Sequence, residues 1–456
     1  GHMGEPYMSG LTPSGFDALQ AIINAAHDTS GGKKRIEVHA WMVVFRTGGN
    51  SVYSAHHSTP TGSLTNLDNY WPTRDSAGAE ESAKAFDPGH PLCEDYLTKV
   101  FMDIASNYDI DGVHYDYVRF TANDLGYNPT SVARYNARYG LTGQPSNTNS
   151  QWKQWRRDQI TNLVRRVYHK IQIVKPSVKV SGAFVCGAPG PSTPDRSGFT
   201  GTTNLQAYTQ YYQDWDAWMR EGIVDMAAPM TYFDMDGAYV ADWNKWLQYQ
   251  KDNHDIRHMI VGPGTYMNTS AHAIEQLLAT RTASSTGHYV NGFSGYEYQE
   301  PYSSATWGDV NTVGTWANTF KNQVTPTWTD VPVMNWKSSP TKGFLHGTVL
   351  NGTAWVDGAH ITTTAGGDQY TDGTGFYGFT ELTPGTYSVT CTASGLGTQT
   401  KSFTIAAGQV TVVNFTWGIT TGMSGYVRTS GGAAVAGARI VGPNGSYVST
   451  SASDGS

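Results

Sequence analysis

The residues best suited to chemistry lie in one ten-residue segment, Asp111-Gly-Val-His-Tyr-Asp-Tyr-Val-Arg-Phe120. If a β-strand begins near Gly112, alternation points His114 and Asp116 to the same side, with Asp116 nearer the strand end. Arg119 stands close enough in sequence to keep the Asp116 carboxylate ionised. An inward, ionised carboxylate is what a glycosidase uses to stabilise an oxocarbenium-like transition state, although a purely structural ion pair between Asp116 and Arg119 fits the same pattern.

Glycoside hydrolysis needs a second carboxyl group, and two other loops supply candidates. Asp234 follows the apolar run that ends at Phe233, and Glu297 and Glu300 follow another run. We favour Asp234, with Glu297 next, although loop carboxylates are often solvated bystanders. Asp234-Met-Asp-Gly237 also resembles the start of a calcium loop, but the remaining ligands are absent. The choice between retaining and inverting chemistry depends on the carboxyl separation and stays open.

Substrate-binding candidates come from polar and aromatic residues near other predicted strand ends. His39 and Trp41 alternate onto one face of their strand, and Trp41 lies where a sugar platform would stand. Each of these residues suits a packing role equally well. The full set of predicted binding residues is His39, Trp41, His114, Arg119, Trp155, Arg156, Tyr232 and Tyr266.

These residues must be positioned by the elements around them. Between residues 14 and 323 short apolar runs alternate with amphipathic helical patterns, which predicts βα repeats and a parallel sheet. The predicted strands are 36–44, 112–120, 178–185, 226–233, 258–266 and 290–298. The predicted helices are 14–27, 94–107, 150–174, 209–221, 240–252, 270–281 and 313–323. The fold class is therefore α/β, a TIM-type barrel with its catalytic groups at the carboxyl ends of the strands.

The number of predicted strands falls short of a closed barrel. Six strands are found where a barrel of this type has eight, and the chain opens on a helix. We expect the first two strands to be missing. An open barrel would expose strand edges, so a dimer formed through such an edge is a further expectation.

After residue 323 the composition changes to Thr, Gly and Val without helical periodicity, and an internal repeat appears. The motif 347–373 recurs at 425–455, and short alternating strands between Gly and Pro turns predict small β-sandwich modules. The predicted domains are a tag remnant at 1–3, the barrel at 4–323, a linker at 324–343, a β-sandwich at 344–417 and a truncated second β-sandwich at 422–456.

The composition of the chain argues against nucleic-acid binding, metal binding and a membrane span. With 30 Lys and Arg against 37 Asp and Glu, the chain has no basic run suited to nucleic acid. The three cysteines lie far apart, without metal spacing, and each is expected to be a small buried apolar residue. No apolar run approaches a membrane span. We expect neither a metal nor a cofactor.

Four segments carry a family resemblance. Glu37-Val-His-Ala-Trp41, Ile110–Phe120, Trp155-Arg-Arg157 and Val224–Tyr232 together resemble the bacterial glycosyl-hydrolase-like family 10, a TIM-barrel group that includes enzymes cutting peptidoglycan glycan strands. The resemblance implies Asp116 as a principal active-site acid. It also implies pocket roles for His39, His114, Arg119, Arg156 and Tyr232. The repeated C-terminal segments resemble carboxypeptidase regulatory-like modules.

The leading hypothesis is a secreted or cell-surface glycoside hydrolase acting on a bacterial polysaccharide, with peptidoglycan glycan strands as the first candidate. A non-catalytic carbohydrate-binding or cell-wall adhesion protein is the main alternative. Hydrolysis of an ester or amide on an amino sugar is a third, for which neither a Gly-x-Ser-x-Gly motif nor a metal-spaced Asp and His set is present.

Overall fold

The chain is described by a computed structural model, and it divides into two compact units. The first unit takes in residues up to 349 together with 355–415, and the second takes in 350–354 and the residues from 416 onward. The residues described are 15–57, 69–254, 256–298, 300–305, 309–418, 426–441 and 447–451.

A parallel six-stranded sheet forms the centre of the first unit, with the strands in chain order. The strands are β1 His39–Val43, β2 Gly112–Asp116, β3 Lys179–Val185, β4 Met226–Thr231, β5 His258–Pro263 and β6 Gly292–Phe293. The parallel α/β fold predicted from the sequence is confirmed, and each strand is shorter than its apolar run. Within the described residues β1 and β6 end the strand order. Pairing of such an edge with a second chain stays a prediction.

Helices connect successive strands. Their bounds are α1 Ala18–His27, α2 Ser51–Ala55, α3 Pro91–Asn107, α4 Pro129–Tyr139, α5 Ser150–Val174, α6 Arg196–Gly201, α7 Trp215–Glu221, α8 Val240–Asp252, α9 Ser270–Ala279, α10 Val310–Gln323 and α11 Asn335–Ser338. Single turns of 3₁₀-helix cover Ser30–Gly32 and Thr265–Met267, and a π-turn covers Gln206–Gln210. No helix in the described part of the chain is long and apolar enough to cross a membrane.

Helix α5 agrees with its prediction because the sequence marks both of its ends and its buried face. The side chain of Asn149 caps its first turn by accepting from the backbone N–H of Trp152, and Pro176 prevents its continuation. Its apolar stripe, which includes Ile160, Val164 and Val167, is fully buried. Helix α4 was not predicted, because it buries few apolar residues and depends instead on Asn128 as N-cap and Pro129 in its first turn.

Most of the abundant aromatic residues belong to the core. Five tryptophans are almost completely buried: Trp152, Trp215, Trp218, Trp243 and Trp246. Trp246 donates its indole N–H to the carbonyl of Gly187, and Trp215 donates to the carbonyl of Val185. The high tryptophan content therefore reflects packing of the helices on the sheet more than sugar binding.

A largely antiparallel set of strands follows the barrel, as predicted. Their bounds are β7 Gly343–Asn351, β8 Ala354–Trp355, β9 His360–Thr363, β10 Asp368–Tyr370, β11 Phe376–Leu382, β12 Gly385–Ala393, β13 Gly397–Ile405, β14 Val410–Val412 and β15 Phe415–Trp417. One sheet has the order β10-β9-β12-β13, and a second has β11-β7-β14. In the second unit β16, Arg439–Val441, pairs antiparallel with β17, Tyr447–Thr450.

The segment predicted as a linker contributes to the amino-terminal end of the sheet. Asp225, immediately before β4, is fully buried, and its carboxylate accepts from the backbone N–H of Val180 at 2.8 Å and from the hydroxyl of Tyr168 at 3.1 Å. Helix α11 adds the indole N–H of Trp336 at 2.7 Å and the ammonium group of Lys337 at 3.1 Å. Every oxygen of this carboxylate is therefore satisfied, and the contacts tie α11 to the barrel.

We expect Asp225→Ala to lower the free energy of unfolding by about 3–5 kcal/mol, because it leaves the buried Lys337 ammonium without its counter-charge. Chemical denaturation monitored by tryptophan fluorescence measures the change. The double variant Asp225→Ala/Lys337→Met should recover part of the loss. Equal stabilities of Asp225→Ala and the wild type would contradict this structural role.

Candidate functional site

A cavity of about 550 Å³ opens at the carboxyl ends of the parallel strands. Ligand sites in parallel α/β folds occupy this end. Its lining is Trp41, His114, Asp116, Tyr117, Arg119, Ala183, Ala228, Met230, Tyr232, Gly262, Ser294, Tyr296 and Glu297. The structure thus brings together residues from β1 to β5 and from the loops that follow β2, β4 and β6.

Asp116 is the last residue of β2 and is 8% exposed. Its Oδ1 atom accepts from the backbone N–H of Tyr117 at 2.7 Å, and the guanidinium of Arg119 lies 3.5 Å from the same atom. Burial lowers the pKa of Arg119, although an arginine remains charged at ordinary pH. The Asp116–Arg119 pair expected from the sequence is therefore present within the cavity lining.

The chain turns sharply after Asp116. Tyr117 has a φ of 48°, in the left-handed region that residues with side chains rarely adopt. The ring of Tyr117 lies under two guanidinium groups, with Arg119 at 4.2 Å and Arg46 at 4.9 Å from its centroid. Arg46 also donates to the Tyr117 hydroxyl at 2.7 Å. These contacts offset the backbone strain and bring Tyr117 into the cavity, which strand alternation alone does not predict.

Glu297 is the second carboxyl group of the lining. It follows β6 and is half-buried, and both this burial and the nearby charge of Glu300 raise its pKa. Asp234 lies outside the lining, where its carboxylate accepts from the backbone N–H of Asp236 at 2.9 Å in a local turn. Of the two candidates for a partner to Asp116, the fold therefore brings Glu297 into the cavity.

Aromatic side chains contribute to the cavity and to its surroundings. Trp41 is 62% exposed, unusual for a tryptophan in a structure that buries most of them. Tyr232 stacks on Tyr296 with ring centroids 5.6 Å apart, and Tyr266 packs edge-on against both. Tyr266 supports this cluster without lining the cavity. Ser294 and Tyr296 were not predicted as site residues, although both lie towards the carboxyl end of the predicted strand 290–298, where lining side chains were expected.

Three predicted residues lie elsewhere. His39 starts β1 and contacts Ser181 and Glu37 below the cavity. Trp155 stacks on Trp152 at 5.0 Å in a separate aromatic cluster and is nearly buried. Arg156, fully buried, donates to the carbonyls of Asn123 and Leu125 and to the side chain of Asn147.

Arg156 thereby acts on the site indirectly. Its two backbone acceptors belong to the loop that follows Asp116 and Arg119, and Tyr212 also donates to the carbonyl of Asn123.

The described residues contain no group of three or more His, Cys, Asp or Glu side chains that would hold a metal ion.

The comparisons with known proteins give a consistent family. The family model described as Glycosyl hydrolase-like 10 matches residues 7–276, more than half of the chain, and the model described as Carboxypeptidase regulatory-like domain matches residues 345–418. Both matches agree with the resemblances found in the sequence.

Two curated relatives are similar over the barrel. The glycosyl hydrolase YngK of Bacillus subtilis is 27% identical over 270 residues, which cover 57% of this chain and 48% of that protein. The glycosyl hydrolase DigH of Escherichia coli is 27% identical over 228 residues, which cover 48% of this chain and 47% of that protein. The chain thus spans about half the length of these relatives.

Among solved structures, the PgaB (BpsB) glycoside hydrolase domain from Bordetella bronchiseptica matches 65% of this chain and 78% of its own, with 15% identity and a TM-score of 0.43.

We expect Arg156→Leu to speed amide hydrogen exchange in residues 123–127, because three acceptors lose their charged donor. Exchange followed by mass spectrometry measures this loop against strand β5, which should not change. Arg157→Leu is the matched control, since Arg157 is on the same helix and donates to the carbonyl of Tyr208 instead. Equal exchange of the loop in wild type and Arg156→Leu would contradict the role given to Arg156.

Proposed function

Because the chain belongs to the glycosyl hydrolase-like 10 family, we propose that it hydrolyses glycosidic bonds of a bacterial polysaccharide. The supporting observation is the lining of one cavity by two carboxyl groups, Asp116 and Glu297, beside the exposed face of Trp41. Two carboxyl groups facing one sugar are the minimum chemistry for this reaction, and an aromatic face suits the apolar side of a sugar ring.

The environments of the two carboxyl groups indicate a different catalytic role for each. The guanidinium of Arg119 lies 3.5 Å from the carboxylate of Asp116, and a carboxylate held in this position suits a group that stabilises positive charge on the sugar and acts as nucleophile or activates water. The pKa of Glu297 is raised, so its protonated form persists to higher pH and can donate a proton to the leaving oxygen. We assign the binding of sugar hydroxyl groups to His114 and Tyr232, which line the same cavity.

Peptidoglycan glycan strands are the first substrate to assay, on the strength of the family resemblance. Such a substrate lies outside the cytoplasm, so we also place the protein there. The carboxypeptidase regulatory-like match supports this location, because modules of this kind are common on secreted bacterial enzymes. Fractionation of the source cells, followed by immunodetection, tests it, and recovery only in the cytoplasm would contradict it.

Asp116→Asn should lower the release of reducing ends from glycan strands by roughly a thousandfold or more, because the charge that stabilises the transition state is removed. A reducing-sugar assay measures the rate, and an unchanged melting temperature verifies the fold. Bound oligosaccharide should still be detected by calorimetry.

Asp234→Asn is the matched control, since it makes the same change at the same end of the barrel but outside the cavity lining. Its rate should stay within about twofold of the wild type. Full activity of Asp116→Asn would refute the assignment. Oligosaccharide binding by the wild type without any turnover would instead favour the carbohydrate-binding alternative.

The pH profile tests Glu297 as the proton donor. A general acid works only while protonated, so kcat/KM should fall as pH rises through the pKa of Glu297. Glu300→Gln removes a nearby negative charge and should move this alkaline limb to lower pH. Glu297→Gln should abolish the limb together with most of the activity. An alkaline limb that both variants leave unchanged would assign the acid to another group.

A further inference from the structure

One of the cavity residues, His114, makes a single side-chain hydrogen bond among the described residues. Its Nδ1 atom lies 2.9 Å from the hydroxyl of Ser181 on the neighbouring strand. The other ring nitrogen, Nε2, has no protein partner there and is left to the cavity that His114 lines. Burial, reinforced by the nearby His39, lowers the pKa of His114 to about 4, so the ring is neutral at ordinary pH. A neutral imidazole has one N–H and one acceptor nitrogen, and the partner of Nδ1 decides which is which.

Ser181 is fully buried, and its single hydroxyl proton is shared between two acceptors other than His114. Its hydroxyl donates to the carbonyl of Val113 at 3.2 Å, and the Nδ1 atom of His39 lies at 3.3 Å. Because a carbonyl cannot donate, the proton of Ser181 is directed away from His114. The serine oxygen then accepts from the Nδ1–H of His114.

Glu37 sets the orientation of His39 by contacting the ring nitrogen that does not face Ser181. Its Nε2 atom lies 3.3 Å from the carboxylate of Glu37, which Lys179 also contacts at 2.5 and 2.6 Å. The hydrogen bond from His39 and the charge of Lys179 lower the pKa of Glu37, so this group is an ionised acceptor. His39 therefore donates from Nε2, which leaves its Nδ1 lone pair for the Ser181 hydroxyl.

A glycine makes room for this arrangement. A Cβ atom on Gly112 would lie 2.4 Å from Nδ1 of His39, so any side chain at that position would displace the ring. Gly112 and His39 face each other in the register of β1 and β2. The sequence thus reserves space for His39 on the strand that carries His114.

We propose that Glu37, His39 and Ser181 hold His114 as its Nδ1–H tautomer, so that Nε2 accepts a hydrogen bond from a substrate hydroxyl. Glu37, His39 and Ser181 are positioning residues, and His114 is the group that contacts the substrate. The substrate contact rests on the proposed glycoside hydrolysis. The tautomer does not, and it is measurable without any substrate.

Long-range ¹H–¹⁵N correlation spectra of ¹⁵N-histidine-labelled protein at pH 7 report the tautomer of each ring. The signals of His114 are identified by their loss in His114→Gln. We expect the wild type to show an Nδ1–H tautomer at His114. An Nε2–H tautomer or a doubly protonated ring would overturn the proposal, whatever the outcome of the activity assays.

Ser181→Ala should lose this preference, and the Nε2–H form of His114 should become visible. Ser131→Ala is the matched control, since Ser131 is equally buried but donates to Asp87 outside the cavity lining. It should leave the His114 signals unchanged. A pure Nδ1–H form in Ser181→Ala would remove the positioning role.

Measurement of kcat/KM is a second test of the proposal, and it depends on the proposed function. Loss of one oriented hydrogen bond should lower kcat/KM of Ser181→Ala by roughly fivefold, without moving the alkaline limb assigned to Glu297. Ser131→Ala should keep the wild-type value. An active enzyme whose kcat/KM is the same in Ser181→Ala would contradict the substrate contact of His114 while leaving the hydrolase assignment intact.

Discussion

The parallel hydrogen-bond ladder that joins β1, β2 and β3 is the constraint on which the cavity depends. It sets Trp41 beside His114 and His114 beside Ser181. Because side chains alternate along each strand, a shift of one residue would turn His114 and Asp116 away from the cavity together. The ladder continues past the end of β1, where the backbone N–H of Val44 donates to the carbonyl of Asp116 at 2.8 Å. The backbone is thus held firmly up to the residue whose carboxylate is proposed to react.

Carboxylates at the two ends of the sheet differ in how many hydrogen-bond donors surround them. At the amino-terminal end Asp225 is surrounded by donors, and Asp111 accepts from the backbone of Val38 and from Arg35 and His27. Such groups are saturated and stabilise the fold. At the other end Asp116 and Glu297 keep acceptor capacity facing an open cavity. This contrast separates the structural acids from the two acids proposed to react, since only unsaturated groups have hydrogen-bonding capacity left for a ligand.

The first β-sandwich packs against the barrel through ion pairs and hydrogen bonds made by largely buried arginines. Arg134 of α4 forms a bidentate pair with Asp357 at 2.7 and 3.0 Å, and Arg257 pairs with Glu381 at 2.5 Å. Arg166 of α5 bridges the Thr374 hydroxyl and Asp95, both at 2.7 Å. Since the arginine side chains are largely buried, these contacts fix the module on the helices far better than a flexible linker would.

The sequence by itself determined the strand order, the long helices and the placement of Asp116, because each follows from local periodicity and from the common direction of parallel strands. From the sequence we favoured Asp234 over Glu297, although no local signal separates the two. Both follow strands, and only the path of each loop decides that the first closes a local turn while the second enters the cavity. The sequence placed His39 on the same face as Trp41 but could not show that the ring meets Ser181, which is distant in sequence. The left-handed turn at Tyr117 and the docking of Trp336 and Lys337 on Asp225 were likewise decided by tertiary contacts, since neither leaves a periodic signal in the chain.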